Sequence, residues 1–71
     1  MLLSNNQIPV ISYGRTELAK MYFPQLGSEA AWHKLRSWIV MNPRLHHLYS
    51  KRTRTFTPAE VSLIFSELGE P

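Results

Sequence analysis

The sequence predicts one small, mainly α-helical domain of about four helices, with room for a small two-stranded β element. Two observations favour helices: apolar residues recur at spacings of three and four in several segments, and capping residues, glycine or proline bound these segments. The third observation is a length of 71 residues without cysteine. That length permits a single domain and excludes a two-domain enzyme with a cleft between lobes. The missing cysteines exclude a disulfide framework and a thiolate zinc site.

The start of the chain predicts a flexible leader followed by an edge strand. Residues 1–7 lack the pattern of a signal peptide, so we expect one folded domain over residues 8–71. Residues 8–12 are short, β-branched and proline-containing, which is typical of an edge strand, and we expect them to pair with residues 52–56. No apolar run approaches the ~20 residues that cross a bilayer. Together with the missing cysteines, this predicts a cytoplasmic protein without a membrane partner.

Two helices joined by a short loop come next. The turn at 12–14 caps the first helix, Glu17 lies where the helix dipole favours an acid, and Pro24 ends the helix. The second helix spans 28–41 and begins at Ser28, a preferred N-cap residue. The apolar residues of the first helix are Leu18, Ala19, Met21 and Tyr22. Those of the second share one face and are predicted to be buried: Ala31, Leu35, Trp38 and Ile39.

Two further helices are predicted in the second half of the chain. Asn42-Pro43 favours a short third helix, because Asn caps well and Pro suits the first helical position. Its buried side is expected to be formed by Leu45, Leu48 and Tyr49. Thr57-Pro58-Ala59-Glu60 forms a capping box that begins the last helix, and Gly69 is expected to end it as a left-handed C′ residue. The apolar face of that helix consists of Val61, Ile64, Phe65 and Leu68.

The charges are unevenly distributed along the chain, whose net charge is +3. Six cations and no acid lie between residues 33 and 54, and three acids and no cation follow from residue 55. The cations are Lys34, Arg36, Arg44, Lys51, Arg52 and Arg54. A segment whose charged residues are all positive creates a positive electrostatic field that attracts polyanions. Binding of a phosphate backbone is therefore one interpretation, and simple solvation of a charged surface is the other.

The run from 51 to 55 is the sharpest local feature of this segment. In an extended strand, Arg52 and Arg54 point to one side, and Lys51 and the two threonines point to the other. Both arginines can then reach one phosphate strand or a minor groove, while the threonine hydroxyls donate further hydrogen bonds. An ordinary polar connection before the last helix is an equally open interpretation.

The remaining aromatic and polar residues do not indicate catalysis. Trp38 is interpreted as a core residue, whereas Trp32 is expected either to pack on Tyr13 or Tyr22 or to lie exposed at a partner surface. Three histidines have no acid placed to support a metal site: His33, His46 and His47. The sequence contains no aspartate, glycine-rich phosphate loop or nucleophile motif. We therefore expect a non-enzymatic protein without a cofactor or a small-molecule substrate.

Motifs at both ends of the chain resemble a known family. Near the start they are Ser12-Tyr13-Gly14-Arg15-Thr16-Glu17-Leu18-Ala19 and Tyr22-Phe23-Pro24. Lys34-Leu35 and Trp38-Ile39 follow, and at the end stand Phe56-Thr57-Pro58-Ala59-Glu60-Val61, Ile64 and Leu68-Gly69-Glu70-Pro71. These residues make the chain resemble domain of unknown function 4248, a short bacterial family known mainly from Bacteroides-like bacteria. The resemblance covers residues 12–71 and implies no established activity.

A looser resemblance concerns the order of elements. A short helix, a loop, a second helix and an arginine-rich strand before a capped last helix are similar to winged helix-turn-helix domains of the MerR and excisionase type. This resemblance implies that the second helix enters the major groove and that Arg52 and Arg54 lie on a wing against the backbone. The groove-facing residues would be Ser28, Glu29, His33 and Arg36. The chain departs from the pattern in its longer second helix, its extra helix at 42–50, and the acid Glu29, which repels phosphate.

Two functions follow as hypotheses. The leading one is a DNA-binding accessory or regulatory domain that contacts double-stranded DNA, and a dimer would strengthen it because one small module buries little surface on DNA. Its candidate contact residues are Ser28, His33, Lys34, Arg36, Arg44, Lys51, Arg52 and Arg54. The alternative is an adaptor that binds another protein through aromatic residues near one turn: Tyr22, Phe23 and Trp32.

Overall fold

The computed structural model describes residues 8–49 and 54–71. The elements in these residues are β1 (Tyr13–Gly14), α1 (Arg15–Tyr22), α2 (Ser28–Met41), a single 3₁₀ turn (His46–Leu48), β2 (Thr55–Phe56) and α3 (Pro58–Leu68). The described part is thus mainly helical, as predicted, with three α-helices and a two-stranded sheet. None of its helices has the length and apolar character needed to cross a bilayer. The expected leader, residues 1–7, lies outside the described residues.

The two strands pair antiparallel, with Tyr13 opposite Phe56 and Gly14 opposite Thr55. The predicted first strand is therefore wrong: residues 8–12 form no strand, and the pairing begins one residue later. The ring of Tyr13 is buried, and its hydroxyl donates to the carbonyl oxygen of Pro9 at 2.8 Å. This bond ties the preceding segment to the Tyr13 side chain and not to β2.

Both N-terminal helices begin at a glycine. The N-cap of α1 is Gly14, whose amide donates to Oε1 of Glu17 at 3.1 Å. The N-cap of α2 is Gly27, which makes no side-chain cap bond, and Ser28 is the first helical residue. The predicted Ser28 cap is wrong by one residue. Its hydroxyl is consequently not committed to capping the helix.

The last helix begins as its sequence predicts. The amide of Glu60 donates to Oγ1 of Thr57 at 3.3 Å, and the amide of Thr57 donates to Oε1 of Glu60 at 2.9 Å. Gly69 ends the helix with a φ of 88°, a value that glycine adopts without steric cost. Its ψ of 163° lies outside the left-handed helical region, so only the sign of φ agrees with the expected C′ conformation.

The predicted third helix is a single 3₁₀ turn. The side chain of Asn42 accepts from the amide of Arg44 at 2.8 Å, and the carbonyl of Asn42 accepts from the amide of Leu45 at 3.0 Å. These bonds close a tight turn directly after α2, because an Asn side chain competes with helical hydrogen bonding. Leu45 and Leu48 are buried as predicted, but Tyr49 is 53% exposed. One turn is too short to carry Tyr49 to the buried side.

The core packs against one stripe of α2. Ala31, Leu35 and Ile39 are buried there, and they face buried residues of the other helices: Leu18, Ala19, Val61, Ile64 and Phe65. Trp38, predicted to be core, is 40% exposed. At 100° per residue Trp38 lies about 60° from Leu35, on the edge of the stripe. Its ring meets Phe23 edge-on, with centroids 4.9 Å apart.

Candidate nucleic-acid interface

Trp32 connects the sheet to the flank of α2 that faces it. Its ring centroid lies 6.3 Å from that of Phe56 in β2, which was not one of the partners expected from the sequence. The guanidinium carbon of Arg15 lies 5.0 Å from the centre of the Trp32 ring. Arginine stacks well on such a ring, since its planar cation is attracted by the π-electrons. Trp32 is therefore both a packing residue and a platform for a cation.

Arg15 also joins the start of α1 to the residue before β2. Its backbone amide donates to the carbonyl oxygen of Arg54 at 2.8 Å. Arg54 is exposed, and the Gly14–Thr55 pair next to this bond fixes its position. Two arginines that are far apart in sequence are thus neighbours in the fold.

A third arginine lies on the same flank of α2. Arg36 follows Trp32 by four residues, so the two side chains are neighbours on the helix surface. Its guanidinium carbon lies 5.9 Å from the centre of the Tyr49 ring, and Nη2 lies 3.2 Å from Nδ1 of His33. Tyr49 and Arg54 border residues 50–53 on either side, and Lys51 and Arg52 lie outside the described residues. We call Arg15, Arg36 and Arg54, with the rings of Trp32 and Tyr49, the arginine face.

Two other predicted cations lie elsewhere. Lys34 and Arg36 are two residues apart on α2, so their side chains leave opposite flanks of the helix. The Nζ of Lys34 lies 5.2 Å from the centre of the Phe23 ring. Nε of Arg44 lies 3.9 Å from Oε2 of Glu67 in α3. The structure thus divides the four described cations of the acid-free segment, Lys34, Arg36, Arg44 and Arg54, among three places.

The acid Glu29 contacts His33 on α2. Oε2 of Glu29 lies 3.5 Å from Nε2 of His33, one helical turn along α2. The expectation that no acid supports the histidines is therefore wrong for His33, which Glu29 contacts. Glu29 lies on the flank of Arg36 but at the opposite end of α2, beside the exposed Ser28. The arginine face is therefore cationic toward Tyr49 and acidic toward the start of the helix.

The adaptor hypothesis relied on three aromatic residues, of which Tyr22 and Phe23 are neighbours with ring centroids 6.3 Å apart. Phe23 is buried. Tyr22 is half-buried, and its hydroxyl donates to the carbonyl oxygen of Gly69. Burial, with the charge of Glu70 nearby, raises the pKa of Tyr22 to about 12. Trp32 lies across α2 against the sheet, so these three rings do not form one exposed cluster.

Histidines and acids do not gather anywhere in the described part of the chain. Within residues 8–49 and 54–71, no three His, Asp or Glu side chains lie close enough together to hold a metal ion. His33 is engaged with Glu29 and Arg36. The 3₁₀ turn carries the other two histidines, and both are exposed.

Arg15 is the residue of the arginine face that sequence reasoning missed. It stands outside the acid-free segment, beside Glu17, and only the strand register brings it to Arg54. A correct prediction of the strand register would have revealed it, since pairing of Gly14 with Thr55 places Arg15 beside Arg54.

Comparison with known proteins identifies one family. The family model described as "Domain of unknown function (DUF4248)" matches residues 9–71. No curated protein matches the chain, and no solved structure matches it. The matched range includes both strands, all three α-helices and the arginine face. The chain therefore belongs to the DUF4248 family.

Proposed function

We propose that this chain is a non-enzymatic DNA-binding domain whose arginine face contacts the phosphate backbone of double-stranded DNA. The observation that carries the proposal is that Arg15 lies over Trp32, Arg36 lies over Tyr49, and Arg54, the residue before β2, is held beside Arg15. Lys51 and Arg52 are included because the chain enters and leaves their segment at this face. These five cations would supply the phosphate contacts.

The stacked geometry suits phosphate recognition. The guanidinium carbons of Arg15 and Arg36 lie 5.0 and 5.9 Å from the ring centres of Trp32 and Tyr49, and a guanidinium has five N–H donors, so one held near a ring keeps donors for a phosphate. Stacking also restricts the side chains before binding, so less conformational entropy is lost when a phosphate is bound. The binding energy would come mainly from the backbone and would therefore depend strongly on salt.

The order of elements supports a winged-helix arrangement as part of this proposal. In the MerR and excisionase type, a second helix enters the major groove and a basic wing contacts the backbone. Ser28 and His33, exposed on α2, are the candidates for base contacts here, and the segment ending at Arg54 corresponds to the wing. The bacterial cytoplasm, where DNA is found, is the compartment that the proposal requires.

Salt-dependent binding to a 20-base-pair duplex tests the proposal. Fluorescence anisotropy between 50 and 300 mM salt should give a log–log slope of about −4 to −5 for the wild type. Arg15→Gln and Arg36→Gln should each weaken binding about fivefold to tenfold and make the slope shallower by about 1. Lys34→Gln and Arg44→Gln, which remove the same charge elsewhere, are the matched controls and should change affinity about twofold at most. Undetectable binding at 50 mM salt, or equal losses in all four variants, would contradict the proposal.

A further inference from the structure

We propose that a second copy of this chain docks on the flank of α2 that carries Lys34, Trp38 and Met41, forming a twofold dimer. This surface, the Trp38 flank, lies on the opposite side of α2 from Trp32 and Arg36. A dimer built through it leaves both arginine faces uncovered. The inference concerns the chain itself and does not depend on DNA binding.

The Trp38 flank has the composition of an interface. Met41 is 79% exposed, the largest value among the exposed apolar side chains of the described residues, and Trp38 is one helical turn away. The Trp38 ring is held edge-on against Phe23, so it is ordered before any partner arrives. Tryptophan and methionine are enriched in interfaces over the rest of a protein surface, and an ordered tryptophan is the commonest kind of binding hot spot.

The charges beside this flank are complementary to those of a second copy. Lys34 lies against the Phe23 ring. Tyr22, whose ring centroid is 6.3 Å from that of Phe23, holds the carbonyl of Gly69 through its hydroxyl. The next residue, Glu70, is therefore anchored near the same cluster, and its charge reaches Tyr22. In the proposed dimer, Lys34 of each copy pairs with Glu70 of the other, and a twofold interface makes each such contact twice.

The size of the flank predicts a weak dimer. A standard stable interface covers about 800 Å² per partner, and the whole chain exposes 4557 Å². One flank of α2 is about 21 Å long and, with the residues around Glu70, supplies less than that standard area. We expect a dissociation constant of about 10–100 µM.

Sedimentation velocity from 5 to 500 µM tests the dimer on the wild-type chain. The sedimentation coefficient should rise from the monomer value toward the dimer value. Met41→Glu should abolish the rise. Val40→Glu introduces the same charge at the neighbouring position, on the opposite flank of α2, and should preserve it. Circular dichroism confirms that both variants fold.

A charge exchange tests the orientation of the two copies. Lys34→Glu alone should weaken association about tenfold, and adding Glu70→Lys should restore it to within about threefold. A wild-type chain that stays monomeric at 500 µM overturns the proposal. The proposal is also overturned if Met41→Glu and Val40→Glu have equal effects, or if the assembly is larger than a dimer. It is overturned as well if the charge exchange does not restore association. None of these outcomes changes the expected salt dependence of DNA binding, so the two proposals can fail separately.

Discussion

The backbone amide of Arg15 donates to the carbonyl oxygen of Arg54 at 2.8 Å. This bond extends the Gly14–Thr55 pairing by one step and joins the first helix to the end of the basic segment. The guanidinium of Arg15 lies over the Trp32 ring. The backbone of Arg15 therefore holds Arg54 in place, while Trp32 holds the charge of Arg15. The arginine face therefore depends on the sheet as much as on α2.

Trp32→Ala should lower the free energy of unfolding by about 2 kcal/mol, because the half-buried ring packs on Phe56 and its removal leaves a partial cavity. The variant should also weaken DNA binding, since Arg15 loses its platform. Urea denaturation measures the first effect and anisotropy the second. Trp32→Phe keeps a ring at this position and is the matched control. Unchanged stability of Trp32→Ala would place Trp32 outside the packing described here.

Glu29→Gln should strengthen DNA binding about twofold to fivefold at 50 mM salt. The carboxylate lies on the same flank as Arg36 and pairs with His33, so its removal lowers repulsion of phosphate and frees the imidazole. Glu70→Gln removes an equal charge near Tyr22 and should have a smaller effect. Unchanged binding by Glu29→Gln would mean that α2 does not approach DNA with its first turns.

Thr57→Ala should destabilise the fold by about 1 kcal/mol. Its hydroxyl accepts from the amide of Glu60, and loss of an N-cap oxygen typically costs this amount. Ser62→Ala removes an exposed hydroxyl from the interior of the same helix and should have little effect. Equal urea midpoints for Thr57→Ala and the wild type would show that the cap contributes nothing.

Stability at alkaline pH should depend on Tyr22. Its pKa is raised from the ordinary value of 10.0 to about 12, first by burial and then by the charge of Glu70. The unfolded chain therefore loses this proton before the folded chain does. The associated stability is fully present below pH 10 and is lost as the pH rises through 12. Urea midpoints between pH 9 and 12 should fall more steeply for the wild type than for Tyr22→Phe.

Tyr49→Phe is the control for that experiment, because it removes an exposed tyrosine of the arginine face. It should keep the steep alkaline decline of the wild type. If Tyr22→Phe and Tyr49→Phe gave the same pH profile, the burial of the Tyr22 hydroxyl would not be the cause of the alkaline loss of stability.

Local signals predicted the elements that are determined locally. The capping box at Thr57 and the apolar spacing after it define α3, and both operate within one or two helical turns. The apolar spacing also agrees with the bounds of α2 at 28–41, although its N-cap is Gly27 and not Ser28. The exposure of Trp38 was not predictable from spacing, since a residue 60° from the buried stripe is covered only if a neighbouring element reaches it.

The features that sequence reasoning missed depend on contacts distant in the chain. The sheet register pairs Tyr13 with Phe56, and both residues are buried. That register brings Arg15 beside Arg54, although composition alone pointed to the segment after residue 33. In the same way, the pairing of Arg44 with Glu67 in α3 depends on how two helices pack.

Side-chain NMR during a DNA titration tests the arginine face most directly. The Nε–Hε resonances of Arg15, Arg36 and Arg54 should shift on addition of a 20-base-pair duplex at 50 mM salt, while those of Arg44 and the backbone amide of Lys34 stay in place. Shifts confined to Arg44 and Lys34, or no shift at any arginine, would contradict a phosphate-binding surface around Trp32 and Tyr49.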